Sequence, residues 1–378
     1  MQETPLLLKL SDFDYEVPAE LVAQQPTSVR DESRMLVRQA DGSIGHRIFK
    51  DLPQCLPAGS VIILNDTSVI QSRLHGFLKT GARIEIFLLE QISGLTWRAM
   101  AKPLKKLRVG TEILFSTGGN VAVVRSIETA PDGEVPCIEV EFSHREGKPD
   151  FDFFSWLDEI GETPLPPYIH RDLLRRRDPV DKTRYETVFA KVKGSVAAPT
   201  AGLHFTPGVL EELKKSGCTL ATVTLHVGGG TFLPVRQEDV ALHQIHAECF
   251  LVPPNTVAAI IAAKNSGAPV FCVGTTSFRA IESLWQLALQ KGLPPEDLSG
   301  QWHETRLFLH PQTAEERYRP KVTDGIITNF HQPKSTLFML ISALIGLANA
   351  KAMYATAIEK KYRLFSYGDS TLLFLNKS

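Results

Sequence analysis

The feature that most constrains the fold is a change of rhythm part-way along the chain. Residues 61–143 read as short strands: VIILN, VIQSRLHGFL, ARIEIFLLE, LTWRAMA, TEILF, NVAVVRSIE and PCIEVEF. Turn-forming residues break them at Thr80-Gly81, Ser93-Gly94, Thr117-Gly118-Gly119-Asn120 and Pro131-Asp132-Gly133. Glycine and Asn tolerate the positive φ that tight turns need. No helical period runs through this stretch, so it predicts an antiparallel barrel or sandwich. From about residue 190 strands and helices alternate instead. In ATVTLHVG the apolar Ala221, Val223, Leu225 and Val227 alternate with Thr222, Thr224 and His226, which predicts a strand with one polar face. APVFCVG (268–274) reads as a buried strand, and FRAIESLWQLALQ (278–290) as a helix stopped by Gly292. The 378 residues exceed one ordinary compact domain. The expectation is an α/β main domain with a mixed sheet, formed by residues 1–60 and 150–378, with an all-β domain of residues 61–149 inserted in it.

Four segments carry the residue types that chemistry needs. GSVAAPTAGLHFTPGVLEELKKSG (194–217) runs through small residues from Gly194 to Gly202, where backbone can come close to a ligand. Thr206 and Pro207 then start a helix and Gly217 stops it. His204 precedes that N-terminus, either as an acid/base or substrate contact or as a satisfied histidine in a turn. LHVGGGTF (225–232) ends a strand in three glycines; Gly228 and Gly230 would let a nucleotide approach, although the segment is neither a Rossmann fingerprint nor a P-loop. VGTTSFRAIE (273–282) reads strand, hydroxyls, helix. Thr275, Thr276, Ser277 and Arg279 suit an anion or ribose there, or Ser277 is only a helix cap. HQIHAE (243–248) brings together His243, His246 and Glu248 without HExxH spacing or a clear third ligand, so no metal is expected.

The formal net charge is −1, too little for a protein whose whole surface coats nucleic acid. Any phosphate contact must be local. One basic cluster is Lys102, Lys105, Lys106 and Arg108. A second is Arg171, Arg175, Arg176, Arg177, Lys182 and Arg184. Either can neutralise phosphates or simply be solvated surface. Five scattered cysteines, none in a CxxC pair, suggest reduced thiols and a cytoplasmic location. The N-terminus lacks a basic n-region and makes a poor signal peptide. The uncharged stretch Ser335–Ala350 is shorter than the roughly 20 residues of a membrane span and predicts a buried helix.

Several longer motifs occur in a fixed order: RDESRMLV, NDTSVIQSRLHG, PLPPYIHR, DKTRYETVFAKVKGSVAAPTAGLHFT, VTLHVGGGTFLPV, HQIHAE, VGTTSFRAIE, TNFHQPKSTLFML and YRLFSYGD. Together they resemble the queuosine ribosyltransferase-isomerase family over nearly the whole chain. The chain departs from the family pattern at Ser68 and Gln71, where an Arg and a Pro are usual, at Ile245, at Gln332, and across 307–325. The resemblance implies a Greek-key barrel for the inserted domain. It implies two substrates, S-adenosylmethionine and a tRNA carrying 7-aminomethyl-7-deazaguanine at the wobble position, and no metal or other cofactor. It implies a cytoplasmic, monomeric enzyme with no obligate protein partner and no membrane.

That chemistry requires a base for a proton acidified by the sulfonium, an acid for departing adenine, and a dry pocket. His204, His226, His243, His246 and Glu248 are the candidates for proton transfer, and His204 is preferred because a helix N-terminus favours neutral imidazole. Gly228, Gly230, Thr275, Thr276, Ser277 and Arg279 are candidates for holding S-adenosylmethionine. Lys105, Lys106, Arg175, Arg176, Arg177 and Arg184 suit tRNA phosphates, with Tyr185 stacking on an anticodon base. Two other readings stand beside this one. One is an S-adenosylmethionine-dependent RNA methyltransferase, which would release S-adenosylhomocysteine. The other is a tRNA-binding module without chemistry.

Overall fold

The computed structural model describes residues 7–116, 119–128, 136–144, 152–171, 178–232, 235 and 237–375. The strands are β1 (Arg34–Arg38), β2 (Ile44–Ile48), β3 (Val61–Asn65), β4 (Thr67–Val69), β5 (Arg73–Phe77) and β6 (Arg83–Ser93). They continue as β7 (Thr96–Lys102), β8 (Glu112–Leu114), β9 (Asn120–Glu128), β10 (Cys137–His144), β11 (Val192–Ser195) and β12 (Thr219–Leu225). The last are β13 (Glu248–Leu251), β14 (Val270–Val273), β15 (Trp302–Thr305), β16 (Gly325–Asn329) and β17 (Ser370–Phe374). The helices are α1 (Leu52–Cys55), α2 (Phe153–Ile160), α3 (Pro179–Arg184) and α4 (Pro207–Lys215). After them come α5 (Pro254–Ser266), α6 (Gly274–Lys291), α7 (Thr336–Ile345) and α8 (Leu347–Glu359).

Among the described residues, nine strands form one mixed sheet in the order β15-β13-β12-β3-β14-β16-β17-β1-β2. Its centre, β12, β3, β14 and β16, is parallel, and the flanks are joined antiparallel through β13 and β17. Both faces are covered. Ile63, Val223 and Phe250 pack with Ile260 of α5, Phe278 of α6 and Phe338 of α7. Ile62, Leu64, Phe271 and Ile327 pack with Phe49, Phe205 and Val209. A strand buried on both faces reads as a continuous apolar run, which is why VIILN has no alternation.

Six strands close into a separate barrel, β10-β7-β6-β5-β8-β9. All pairings are antiparallel. β8, β9 and β10 follow one another and β7 returns beside β10, the Greek-key connection. The barrel is filled by Trp97, Phe142 and Ile113, and α2 adds Phe153, Trp156 and Leu157 to the same cluster.

Two expectations need correction. The insertion does not begin at residue 61: β3 stands in the centre of the large sheet, β4 pairs with β11, and the barrel starts at β5. A turn-rich stretch of strands carries no mark of which sheet each strand joins. The single helix expected over 335–350 is two, α7 and α8, bent by 112° with Gly346 at the break. Gly346 has φ 92°, and the space a Cβ would need is filled by the Arg317 guanidinium. α7 is largely buried and α8 buries one face through Leu347, Ala350, Met353, Tyr354 and Ala357, and among the described residues no single helix is long and apolar enough to cross a membrane. Finally, Arg175, Arg176 and Arg177 lie outside the described residues.

Candidate active site

β3 is flanked on one side by β12 and on the other by β14, both parallel to it. The chain reaches β12 first and crosses over through α5 to β14. Such a switch point leaves a crevice outside the carboxyl end of the central strand, where open α/β sheets bind ligands. The segment Asn65-Asp66-Thr67 occupies that end. Asn65 extends the β3–β12 pairing with its side chain, donating to Leu225 O (3.0 Å) and accepting from Leu225 N (3.0 Å). This fixes the residue that follows, His226.

The polar face expected for β12 is real and it faces Asp66. Thr224 Oγ1 donates to Asp66 Oδ1 at 2.7 Å. Burial raises the Asp66 pKa, opposed by hydrogen bonds from Thr224 and Thr222 and by the charge of Lys191. One step further, His226 Nδ1 lies 2.8 Å from Thr67 Oγ1. With the Thr67 hydroxyl proton assigned to Val192 O (3.4 Å), Nδ1 is the protonated nitrogen and the lone pair is on Nε2. No hydrogen-bond partner for Nε2 is found among the described residues. Burial lowers the His226 pKa to about 4, so the ring is a neutral base near pH 7. Gly194 lies against this ring: a Cβ there would sit 2.8 Å from Cε1 and Nε2, and its φ is 149°. The expected close approach to Gly194 is thus made by His226, while at Gly202 it is made by Phe189 and Thr187.

His204 occupies a different environment. Asn329 Nδ2 donates to its Nε2 (3.1 Å), its Nδ1 is 2.7 Å from Ser33 Oγ, and its ring stacks on Phe49. Both nitrogens are engaged inside the protein, and the ring is buried. Its pKa is lowered to about 3, chiefly by burial and then by the charges of Arg30 and Arg363. The helix N-terminus is not among the causes: Thr206 caps α4 and is itself bonded to Asp31. Neither ring nitrogen of His204 is open, and the close contacts expected there are made by Ser33 and Asn329. The structure also places a histidine not proposed from the sequence, His331, buried with Nε2 3.0 Å from Thr328 Oγ1 and pKa lowered by burial to about 3.

The other candidates lie on the opposite face of the sheet or at its rim. Glu248 is buried, accepts from Gly228 N (3.2 Å), and forms an ion pair with Arg279 Nη1. Arg279 Nε donates to Leu307 O at 3.0 Å, while Nη2 is buried without a partner among the described residues. Thr276 Oγ1 and Ser277 Oγ are buried and equally unpartnered. Ser277 makes no capping bond, and α6 starts at Gly274 with φ 84°. These three polar groups lie within one helical turn at the start of α6. Thr275 is buried beside them.

The glycine loop is packed by protein. A Cβ at Gly229 would strike Leu89 of the barrel, and one at Gly230 would strike the exposed His246 ring. The close approach at Gly230 is made by His246, and at Gly228 the nearest neighbour is Leu89 O at 3.7 Å. His243 packs edge-on against Phe308. Among the described residues no group of three His, Cys, Asp or Glu side chains is placed to hold a metal.

Of the phosphate candidates, Lys105 and Lys106 are exposed in the turn between β7 and β8. Arg184 is committed to Thr27 O and Ser28 O (2.6 and 3.0 Å). Tyr185 is corrected: it is buried against Tyr367 and has no face for a base.

A family model described as "Queuosine biosynthesis protein" matches residues 10–373. The chain belongs to that family. It is 42% identical over 368 residues to the S-adenosylmethionine:tRNA ribosyltransferase-isomerase of Desulforamulus reducens, covering 97% of this chain and 100% of the relative. The corresponding protein of Anaeromyxobacter sp. is 43% identical, with 97% and 99% covered. A crystal structure of S-adenosylmethionine tRNA ribosyltransferase from Thermotoga maritima aligns with TM-score 0.50 and 30% identity, over 96% of this chain and 100% of that one. Within this queuosine biosynthesis family member, the crevice also holds Asp66, which none of the motif segments singles out. Its only sequence signal is its place directly after the apolar run of β3.

The three lowered histidines make stability depend on pH. His204, His226 and His331 have folded values of about 3, 4 and 3, below the unfolded value near 6.5. The folded chain holds fewer protons, so their stabilising contribution is complete above about pH 6.5 and is lost as pH falls towards 4. Each proton contributes about 1.4 kcal/mol per pH unit. The raised carboxyls of Asp66, Glu186 and Asp369 act in the opposite sense and offset part of this. Urea midpoints should fall between pH 6 and 5, and His204→Gln should reduce the slope by about one proton; an unchanged slope would refute the assignment.

Proposed function

We propose that the chain is an S-adenosylmethionine:tRNA ribosyltransferase-isomerase. It transfers and isomerises the ribosyl part of S-adenosylmethionine onto the aminomethyl nitrogen of 7-aminomethyl-7-deazaguanine at the tRNA wobble position. Epoxyqueuosine forms, and adenine and methionine leave. The observation that carries the residue-level reading is the open Nε2 of neutral His226 beside buried Asp66, at the switch point of the sheet.

The sulfonium acidifies the 5′ protons, and His226 Nε2 takes one. Elimination opens the ribose and expels adenine, which needs a proton; Asp66, biased towards its protonated form by burial, supplies it. The aminomethyl nitrogen then adds to the vinyl sulfonium and loses its proton, the resulting ylide carbon closes onto the C1′ aldehyde to form the five-membered carbocycle, and the alkoxide so formed displaces methionine to close the epoxide. Thr276, Ser277 and Arg279, in the first turns of α6 after the carboxyl end of β14, are the donors for the methionine carboxylate or the ribose of S-adenosylmethionine, which is a substrate rather than a cofactor. Lys105 and Lys106 are available for tRNA phosphates.

Incubation with S-adenosylmethionine and precursor-bearing tRNA should release adenine and methionine in equal amounts. Neither should appear without the tRNA. S-adenosylhomocysteine as the product would replace this reading with methyl transfer.

A further inference from the structure

Trp302 is out of place as a structural residue. It opens β15, the outermost strand of the nine-stranded sheet, and 51% of it is exposed. An indole left in water without a partner forfeits the burial that makes Trp useful elsewhere. Its ring lies nearly parallel to His226, with centroids 5.1 Å apart and planes at 24°. The stack follows from register. Trp302 pairs with Leu251, and Leu251 with Thr224, so Trp302 shares a face with Thr224 and His226, two residues apart on β12. An exposed aromatic surface therefore continues directly from the proton-transfer pair.

Carboxylates gather beside that surface, with Lys191 near Asp66 and Arg98 opposite Glu90 as neighbouring cations. Glu304, two residues on and on the same face, pairs with Cys249 and is exposed. The carboxylates of Glu304, Glu90 and Glu248 all act on the Cys249 thiol, in addition to its burial. Glu90 comes from β6 of the barrel, next to Leu89, which packs on Gly229. A rim with this carboxylate density disfavours phosphate beside Trp302. It attracts a flat heteroaromatic ring that carries a positive charge.

Resting on the function proposed above, we infer that Trp302 is the stacking platform for the substrate base, and that Glu304 and Glu90 favour the base bearing an aminomethyl cation over plain guanine. The platform holds the base beside His226. The acidic rim supplies the discrimination, because guanine is equally flat but uncharged. Phosphates are left to cations elsewhere, such as Lys105 and Lys106.

The test uses the full chain with free 7-aminomethyl-7-deazaguanine and with two tRNAs, precursor-bearing and guanine-bearing. Of the four tryptophans, Trp97 and Trp156 are buried and Trp285 packs against the core, so Trp302 dominates the exposed emission. The free base should quench it, and Trp302→Phe, which keeps an aromatic face, should abolish that signal and raise the KM for precursor tRNA less than Trp302→Ala does. Trp302→Ala should raise that KM roughly 5- to 150-fold, the range for losing one stacked base. Glu304→Gln should shrink the affinity ratio between the two tRNAs. A Trp302→Ala protein that binds the free base and precursor tRNA as tightly as the parent overturns the stacking assignment, and an unchanged ratio in Glu304→Gln overturns the charge assignment. Failure of the parent itself to release adenine would instead overturn the function on which the inference rests.

Discussion

Replacing His226 with Ala is expected to lower the chemical step roughly 10²–10⁴-fold, the usual range for a lost general base. The expectation rests on geometry first. Thr67 takes the proton of Nδ1, so the lone pair is presented on Nε2, and Gly194 and Trp302 hold the ring in place. Burial keeps the imidazole neutral down to about pH 4, so this group should leave the acid limb of kcat/KM flat across the physiological range. Affinity for tRNA phosphates should change little, because no cation is removed. Single-turnover adenine release from saturating substrates is the measurement. The ring is only half-buried, so the variant should fold, and a urea midpoint near the parent value confirms it. Near-parent turnover in a folded His226→Ala protein would move the base to Asp66, which Asp66→Asn tests in the same assay.

Breaking the Glu248–Arg279 pair should have the largest effect on stability. Both side chains are 7% exposed, and they join β13 to α6. Glu248 also accepts the Gly228 amide, so its carboxylate ties down the glycine loop. Removing one partner leaves the other buried and uncompensated, at a cost of about 3–5 kcal/mol. Glu248→Ala should therefore lower the urea midpoint sharply. The double change Glu248→Leu with Arg279→Met should recover much of the loss, because an apolar pair of similar volume needs no desolvation of charge. A Glu248→Ala protein within about 1 kcal/mol of the parent would show that the pair is not buried in solution. The double variant separates two roles: stability should return, while affinity for S-adenosylmethionine should not, since Arg279 is one of the proposed donors in the first turns of α6.

Local rules carried the elements. Thr206 and Pro207 start α4 and Gly292 stops α6, as cap chemistry requires. The alternation of Thr222, Thr224 and His226 marked one polar face of a strand, and that face meets Asp66. The long GSVAAPTAGLHFT run and its companion motifs carried the family resemblance without any coordinates.

What each side chain does was decided only when the chain closed. His204 and His226 look alike in sequence, each in a glycine-bearing run. One is satisfied on both nitrogens by Ser33 and Asn329, the other keeps a free lone pair, and the partners lie 125 to 171 residues away. The glycines at 194, 229 and 230 signalled close approach, but a missing Cβ does not say what approaches, and the neighbours are His226, Leu89 and His246. The placement of β3 in the main sheet could not be read either, since strand pairing depends on partners as distant as β12 and β14. Period and cap chemistry are local properties and survive in one dimension. Burial, tautomer and exposed stacking faces are properties of the neighbours that folding supplies.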